Sequence, residues 1–567
     1  MRNYLFIIPI VLLALFRLVW LDKFPVGLDH DEIMYSLNGL SYINTNKDLS
    51  GVSFPLSIFR TKTEGTASIV PSLLLSLYYR FFSVNQFNIR LLYACFGLLT
   101  ALAIYFFAKY LFKNPQIGFF SSLMFLANPW SFDLYRWCAD APVALLFYLT
   151  AITILLVAKS WRSFTLSLLL LILGFFSYQG AKPILLPIMA VILLFKKFGV
   201  QTFRITNLQI AAYSFILVGF FLVYFVLDSF LPGKFASGRL NEIFLLNKPY
   251  LSGIVDQERK ESIQNPFTFI YSNKFTVSIN TFINKYLTSF STQVLFISGD
   301  PRATYAFGEH GLLSYYDIFL IPLGFIYLFY SSRKIFYLIT SLILIAPLPT
   351  AINIVENSVI NRSFMLEPML MILSGLGVYK AYTFFTKKFS QKTSLFLIYF
   401  FILIFFGNFL YFYFFRFPVL SPEGNFFSER LIGKYVDLNY KKNINLEIYT
   451  TLPQTVFNEI LFFNFKNFHS ALLAPLHKYN TFAGCPKAQP QGVWVLDSRL
   501  NCGNNEKNKG RLAIKNAKDA GILYYIYNDQ ICQGKATTTY RGIHLIYDYA
   551  IDQLSLEQFC SSWVFKE

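Results

Sequence analysis

Charge is what this 567-residue sequence has least of. Asp, Glu, Lys and Arg make up 14% of it, against about 25% in soluble domains, and that shortage excludes an ordinary water-soluble globule. The marks of several enzyme classes are also missing. There is no G-x-x-x-x-G-K-[ST] loop, no H-E-x-x-H pair and no C-x-x-C pair, so readings as an ATP-driven transporter or a zinc protease lose most of their support. No internal repeat and no low-complexity tract occurs. Acids are the scarcer sign, 31 against 49 Lys and Arg, for a formal net charge of +18. No basic patch interleaved with aromatics lies outside the apolar runs, so nucleic acid is not an expected partner. The cations instead fit the cytoplasmic ends of membrane spans.

What the chain does have is apolar residues: 55% of it is hydrophobic, and aromatics make up 19% of the whole chain. A spanning helix needs about 20 mostly apolar residues. Such segments begin near Tyr4, Leu91, Gln116, Ala141, Phe164, Pro183, Ile210, Ile318, Phe336, Phe364 and Leu395. The first has no small-residue cleavage pattern after it and carries Arg17 near its end, so it reads as an uncleaved anchor. A twelfth segment, "SIVPSLLLSLYYRFFSV" from Ser68, is short and contains Pro71 and Arg80. If it does not cross, then Arg2, Lys109, Lys113, Lys159, Arg162, Lys196, Lys197, Arg204, Arg333, Lys334, Lys380, Lys387, Lys388 and Lys392 all fall inside. If it crosses, every later basic cluster faces outward. The expectation is therefore about eleven spans, an interfacial helix at Ser68, a cytoplasmic N-terminus, and an outward C-terminal part.

From Phe417 the apolar runs give way to short strand-like stretches, "NLEIYTT", "GVWVLDS", "GILYYIYND" and "GIHLIYDYA", with helical patterns "TVFNEILFFNF" and "RLAIKNAKDAG" between them. That alternation predicts a small α/β domain. Cys485, Cys502, Cys532 and Cys560 lie there. An even number in an outward domain suits disulfides; three pairings exist, and sequential pairing is expected. Cys95 and Cys138, in or beside spans, read as small buried hydrophobes.

The stretch "GLDHDEIMYS" follows the first apolar run and sets Asp29, His30, Asp31 and Glu32 at a membrane edge. Ionisable groups at such depth are costly and point to function. A carboxylate there can be a general base or a metal ligand, while Asp29 or Asp31 can equally cap the helix that begins at this point. A second outward segment, "NPWSFDLYRWCADAPVALL", holds Arg136 and Asp140, which share a face if the segment is helical and otherwise form a surface ion pair of little worth. The two acidic loops can converge on one site. Outward cations are Arg60, Lys62, Lys182, Arg302 and Arg362; they bind lipid head groups non-specifically or hold the phosphate of a lipid-linked substrate. Acids for a hydroxyl proton and cations for a phosphate leaving group make a transferase site.

With these motifs the chain resembles the GT-C membrane glycosyltransferases that use polyprenyl-phosphate sugars, among them the protein O-mannosyltransferases and the aminoarabinose transferases acting on lipid A. The resemblance rests on Asp31-Glu32 in the first outer loop, on "FRTKTEGTASIVPSLL" with its lysine and proline, and on Pro129, Trp130, Arg136, Ala139 and Asp140 in the second loop. "GAKPILLP" and "NRSFMLEPMLMILSGLG" match less specifically. The extra acid makes Asp29-His30-Asp31 read as a D-x-D as well. The resemblance implies a polytopic α-helical membrane protein of GT-C type, with residues 1–415 as the transferase domain and 416–567 as an extracytoplasmic α/β domain. It implies inverting transfer of a sugar from a polyprenyl-phosphate donor to a hydroxyl of a protein, lipid or cell-envelope glycan. Asp31 is then the base, Glu32 and Asp140 complete the catalytic set, and Asp29, Arg60, Lys62, Arg136, Lys182 and Arg362 bind substrate. Some members hold a divalent ion and others need none, so no cofactor is certain and a divalent metal is allowed. The competing readings are a polyprenyl-lipid transporter or flippase, and a cell-envelope scaffold without catalysis. A transporter predicts charges mid-span and repeats, whereas Asp317 and Glu367, the acids nearest span interiors, sit toward outer ends.

Overall fold

A computed structural model describes residues 4–49, 51–55, 57, 68–198, 206–230, 248–263, 265–302, 309–353, 358–420, 424, 426–442, 444, 446–464, 479–488, 490–500, 502, 511–515, 521–538 and 551–566. These fall into two compact units. The first comprises Met1–Val19, Phe54–Pro71 and Leu91–Phe412; the second comprises Trp20–Ser53, Ser72–Arg90 and Tyr413–Glu567.

All eleven apolar segments are helical. They are α1 (Tyr4–Phe16), then, after α2 (His30–Thr45) and the short α3 (Ile69–Tyr78), α4 (Gln86–Phe112) and α5 (Pro115–Leu126). A one-and-a-half-turn α6 (Pro129–Leu134) precedes α7 (Asp140–Val157), α8 (Trp161–Ser177), α9 (Lys182–Phe198) and α10 (Asn207–Phe230). Three further helices follow, α11 (Lys248–Glu261), α12 (Pro266–Tyr271) and α13 (Lys274–Thr288). The last apolar helices are α14 (Asp317–Ser331), α15 (Arg333–Ile345), α16 (Leu366–Phe385) and α17 (Gln391–Tyr411). Among the described residues, five helical stretches are long and apolar enough to cross a membrane: Gln86–Phe112, Asp140–Val157, Asn207–Tyr224, Arg333–Ala351 and Gln391–Leu420. The protein is a polytopic helical membrane protein.

The centre of the helical unit is α16, whose residues from Leu366 to Val378 are all buried. Its small residues let neighbours close in. A Cβ on Gly377 would collide with the carbonyl of Leu320, and one on Gly324 of α14 would collide with the carbonyl of Leu373. On another side, a Cβ on Gly375 would run into Ser121 of α5. Backbones that approach this closely gain dispersion contacts where no hydrophobic effect drives helices together. Of the two unpaired cysteines, Cys138 is buried as expected, but Cys95 on α4 is exposed: its position faces away from the packed side of that helix, so it fills no core space.

The second unit holds a six-stranded mixed sheet of order β2-β1-β3-β5-β4-β6. The strands are β1 (Leu446–Thr450), β2 (Tyr479–Ala483), β3 (Val493–Asp497), β4 (Leu512–Lys515), β5 (Ile522–Tyr527) and β6 (Phe565–Lys566). β1 pairs in parallel with both β2 and β3, and β5, β4 and β6 continue the sheet antiparallel. The parallel β1–β2 pair needs a crossover, and a helix, Pro453–Asn464, lies between them in sequence. Helices Phe427–Tyr440, Pro453–Asn464 and Leu556–Trp563 are α18, α19 and α20.

The expected strands "NLEIYTT", "GVWVLDS" and "GILYYIYND" are β1, β3 and β5; "GIHLIYDYA" lies outside the described residues. "RLAIKNAKDAG" was expected to be helical, but its described stretch Leu512–Lys515 is a strand. Its Leu512, Ala513 and Ile514 are buried in β4, paired with Ile526, Tyr525 and Tyr524 of β5, and this pairing overrides the helix propensity of the run. The four cysteines form Cys485–Cys502 and Cys532–Cys560, the sequential pairing.

An ion cluster joins α18 to the ends of three strands. Asp497, closing β3, accepts from the Thr450 hydroxyl and from the Thr451 N–H and hydroxyl. Arg499 donates Nε to Asp497 at 2.8 Å and Nη2 to Glu429 of α18 at 3.0 Å, and the Tyr524 hydroxyl donates to the same Glu429 oxygen. Burial raises the Asp497 carboxyl, but the Arg499 guanidinium and the Thr451 donors outweigh it and hold the pKa at about 2.

Candidate active site

The stretch from Trp20 to Gly27 turns sharply before α2, and Gly27 takes a backbone conformation with φ of 80° that glycine adopts without strain. Asp29 is the N-cap of α2. Its side chain accepts the N–H of Asp31 at 3.2 Å, and its own N–H donates to Glu32 at 3.0 Å, a reciprocal capping box. Glu32 is also the partner of Arg90, both side chains fully buried. The guanidinium donates Nε to Glu32 Oε1 at 3.1 Å and Nη2 to Oε2 at 3.0 Å. Its other donors go to carbonyls: Nη1 to Leu21 and Pro25, and Nη2 to Gly27. All five N–H groups of Arg90 are therefore used, two on a carboxylate and three on the turn that leads into α2.

This arrangement separates three neighbouring acids. Asp29 and Glu32 are buried at 1% and 0% exposure, one as a helix cap and the other as an ion-pair partner. Asp31, between them on the first turn of α2, keeps partial exposure to solvent. His30, also partly exposed, begins the helix. Arg90 escapes the sequence reading. Its only sequence mark is a cation at the head of the apolar segment starting at Leu91, and its partner is 58 residues away.

Asp140, Arg136, Lys182 and Arg362 belong to the helical unit. The helical spacing expected of Arg136 and Asp140 does not hold. α6 ends at Leu134 and α7 begins at Asp140, because Pro129 starts a short helix and the chain turns between the two. Arg136 is fully buried and donates Nη1 to Arg17 O at 2.9 Å and Nη2 to Val19 O at 2.7 Å, closing the carbonyl end of the first apolar helix. Asp140 is partly exposed in the first turn of α7 and accepts from the buried Ser68 hydroxyl at 2.9 Å; an acid at that end also suits the helix dipole. Lys182 opens α9 in an aromatic box. Its ammonium donates to the Tyr224 hydroxyl at 2.8 Å and lies 5.2 Å and 4.9 Å from the Phe175 and Tyr224 ring centres.

Arg362 sits on the turn before α16, partly exposed, and Arg302 on another turn is likewise partly exposed. Arg60 and Lys62 lie outside the described residues. Asp317 accepts from the Ser374 hydroxyl at the start of α14, and Glu367 is buried in the first turn of α16.

Among the described residues no group of three or more His, Cys, Asp or Glu is arranged to hold a metal ion. In this stretch Asp29 caps α2 through one carboxylate oxygen, and Glu32 pairs with Arg90.

No protein-family model matches the chain, and no curated protein matches it. Solved structures do. ArnT from Cupriavidus metallidurans in the apo state aligns with 92% of this chain and 97% of its own, at 10% identity and a TM-score of 0.49. The same protein bound to undecaprenyl phosphate aligns over 93% and 98%, at 10% identity and a TM-score of 0.44. The apo oligosaccharyltransferase of Archaeoglobus fulgidus aligns over 81% of this chain at 12% identity and a TM-score of 0.41. The chain spans 64% of that protein's length.

Proposed function

We propose that this protein is a membrane glycosyltransferase that moves a sugar from a polyprenyl-phosphate donor to a hydroxyl acceptor on the outer face of the membrane, with inversion at the anomeric carbon. Asp31 takes the proton of the acceptor hydroxyl. The acceptor oxygen bonds to the anomeric carbon as the bond from that carbon to the phosphate oxygen breaks. Polyprenyl phosphate leaves with the electron pair, and Lys62, Lys182 or Arg362 meets its new negative charge. Glu32 fixes the base through the Arg90 frame, and Asp140 and Arg136 order the second outer loop.

The observation that carries this reading is the division of labour within Asp29-His30-Asp31-Glu32. Two acids are spent on holding the helix start and the third is left partly exposed, on a backbone pinned by a cap and by a saturated arginine. A general base needs such fixed placement. A scaffold has no use for it. The two disulfides support an extracytoplasmic second unit, and the short basic loops support a cytoplasmic N-terminus.

The test is sugar transfer from a radiolabelled polyprenyl-phosphate mannose to a membrane extract, by purified wild type and by Asp31→Asn. The expected loss is at least about 100-fold, the usual worth of a general base, with the thermal melting of the variant unchanged. Undiminished transfer by the variant removes Asp31 from the role.

A further inference from the structure

Two arginine-bearing turns of the helical unit are built on a single carboxylate. Asp300 is 2% exposed. Its Oδ2 accepts the N–H of Val359 at 2.6 Å and of Ile360 at 2.8 Å, with the Ser358 hydroxyl at 3.4 Å. Its Oδ1 accepts the N–H of Arg302 at 2.9 Å. One buried side chain thus fixes the backbone of Arg302 itself and of the residues just ahead of Arg362.

The second turn is held from another direction as well. Trp130 of α6 donates its indole N–H to the carbonyl of Ile360 at 2.9 Å, and its backbone N–H donates to Leu312 O at 3.0 Å. Beyond Arg362, the Ser363 hydroxyl bonds those of Thr350 and Ser289. The peptide carrying Arg362 is therefore gripped on both sides, while the side chains of Arg302 and Arg362 keep partial exposure. A buried carboxylate is expensive unless its lone pairs are filled. Here the filling comes mainly from backbone N–H groups of two separate loops. An apolar residue and an ordinary turn would join those loops at less cost. Burial accordingly raises the Asp300 carboxyl to about 6 in spite of the N–H groups of Ile360, Arg302 and Val359.

We infer that Asp300 is a positioning residue. It sets the separation of the Arg302 and Arg362 turns so that the two guanidinium groups act together on one phosphate. This rests on the transferase reading, which supplies the lipid-linked phosphate. Without Asp300 each arginine remains in the chain, but their spacing is no longer imposed.

The experiment uses full-length protein in detergent and measures donor KM, kcat and direct binding of undecaprenyl phosphate for wild type, Asp300→Asn, Arg362→Ala and the double variant. Asp300→Asn keeps the volume and loses the charge that receives the N–H groups. It should raise donor KM and weaken undecaprenyl phosphate binding about ten- to a hundredfold, the worth of one charge-assisted hydrogen bond, with kcat and acceptor KM within about twofold. Added to Asp300→Asn, Arg362→Ala should cost little more. Inorganic phosphate competing as well as the lipid phosphate would assign the clamp to the phosphate alone; competition by the lipid only would assign it to the whole head group. Wild-type donor KM in Asp300→Asn, or full additivity of the two changes, overturns the inference. If Asp300→Asn melts early, Ser358→Ala, which removes only the long 3.4 Å contact, serves as the folded variant. It should raise donor KM in the same direction by a smaller factor, and a change in kcat alone overturns the inference. Wild type that neither binds undecaprenyl phosphate nor transfers sugar fails the transferase reading, and this inference with it. Wild type that does both, with an unaffected Asp300→Asn, fails this inference only.

Discussion

The three acids among Asp29, His30, Asp31 and Glu32 differ in what surrounds them. Asp29 caps α2, Glu32 receives a bidentate arginine, and Asp31 is left with exposed surface. The frame depends on Arg90. Replacing it by Ala leaves Glu32 charged and unpaired in a dry setting and frees three carbonyls, so the protein should lose about 3–5 kcal/mol of stability. A melting curve in detergent checks this, and an unchanged midpoint would mean that the pair carries no structural weight. The sequence made the acids visible and left open which of them caps the helix. It did not reveal Arg90, because an arginine at the head of an apolar run looks the same whether it meets lipid head groups or a carboxylate. Asp300 was hidden for a similar reason: its partners are backbone N–H groups, which leave no sequence trace.

At the scale of elements, the helices were legible because an apolar run of this length admits little else, and all eleven segments beginning from Tyr4 to Leu395 are helical. β4 was not legible. Its "LAIK" core carries helix-forming residues and is held extended by β5. Close helix packing yields a direct test. Gly324→Ala places a Cβ against the carbonyl of Leu373, whereas Gly253 on α11 has nothing within 4 Å of a Cβ. The first change should cost about 1–3 kcal/mol. The second should cost nothing, and gain up to about 1 kcal/mol from helix propensity. Equal melting temperatures for both would contradict the packing at α14 and α16.

The sheet has its own signature in pH. Asp497 is held at about 2, below the ordinary value of about 3.9. A carboxyl depressed in the fold gives stability that is present above the unfolded pKa and is lost as pH falls through the folded one. Asp497→Asn should therefore melt below wild type at pH 5 to 7, and the gap should close as pH drops from about 4 toward 2. A gap independent of pH would show that the Thr450, Thr451 and Arg499 contacts do not depend on the charge.

At the scale of the whole molecule, the even cysteine count anticipated the two bridges Cys485–Cys502 and Cys532–Cys560. The order of the strands was not readable, since β1 lies between β2 and β3 and only pairing shows it. The second unit gathers Trp20–Ser53 and Ser72–Arg90 with the C-terminal part, a grouping that comes from contacts far apart in sequence.

The central claim is that this membrane protein breaks a sugar–phosphate bond rather than carrying an intact lipid. The most direct measurement reconstitutes the wild-type protein in liposomes with a polyprenyl-phosphate sugar and a hydroxyl acceptor, and follows both products with time. The account predicts one polyprenyl phosphate released for each sugar transferred, with inverted anomeric configuration. Intact donor moved across the bilayer, with no free polyprenyl phosphate formed, would contradict it.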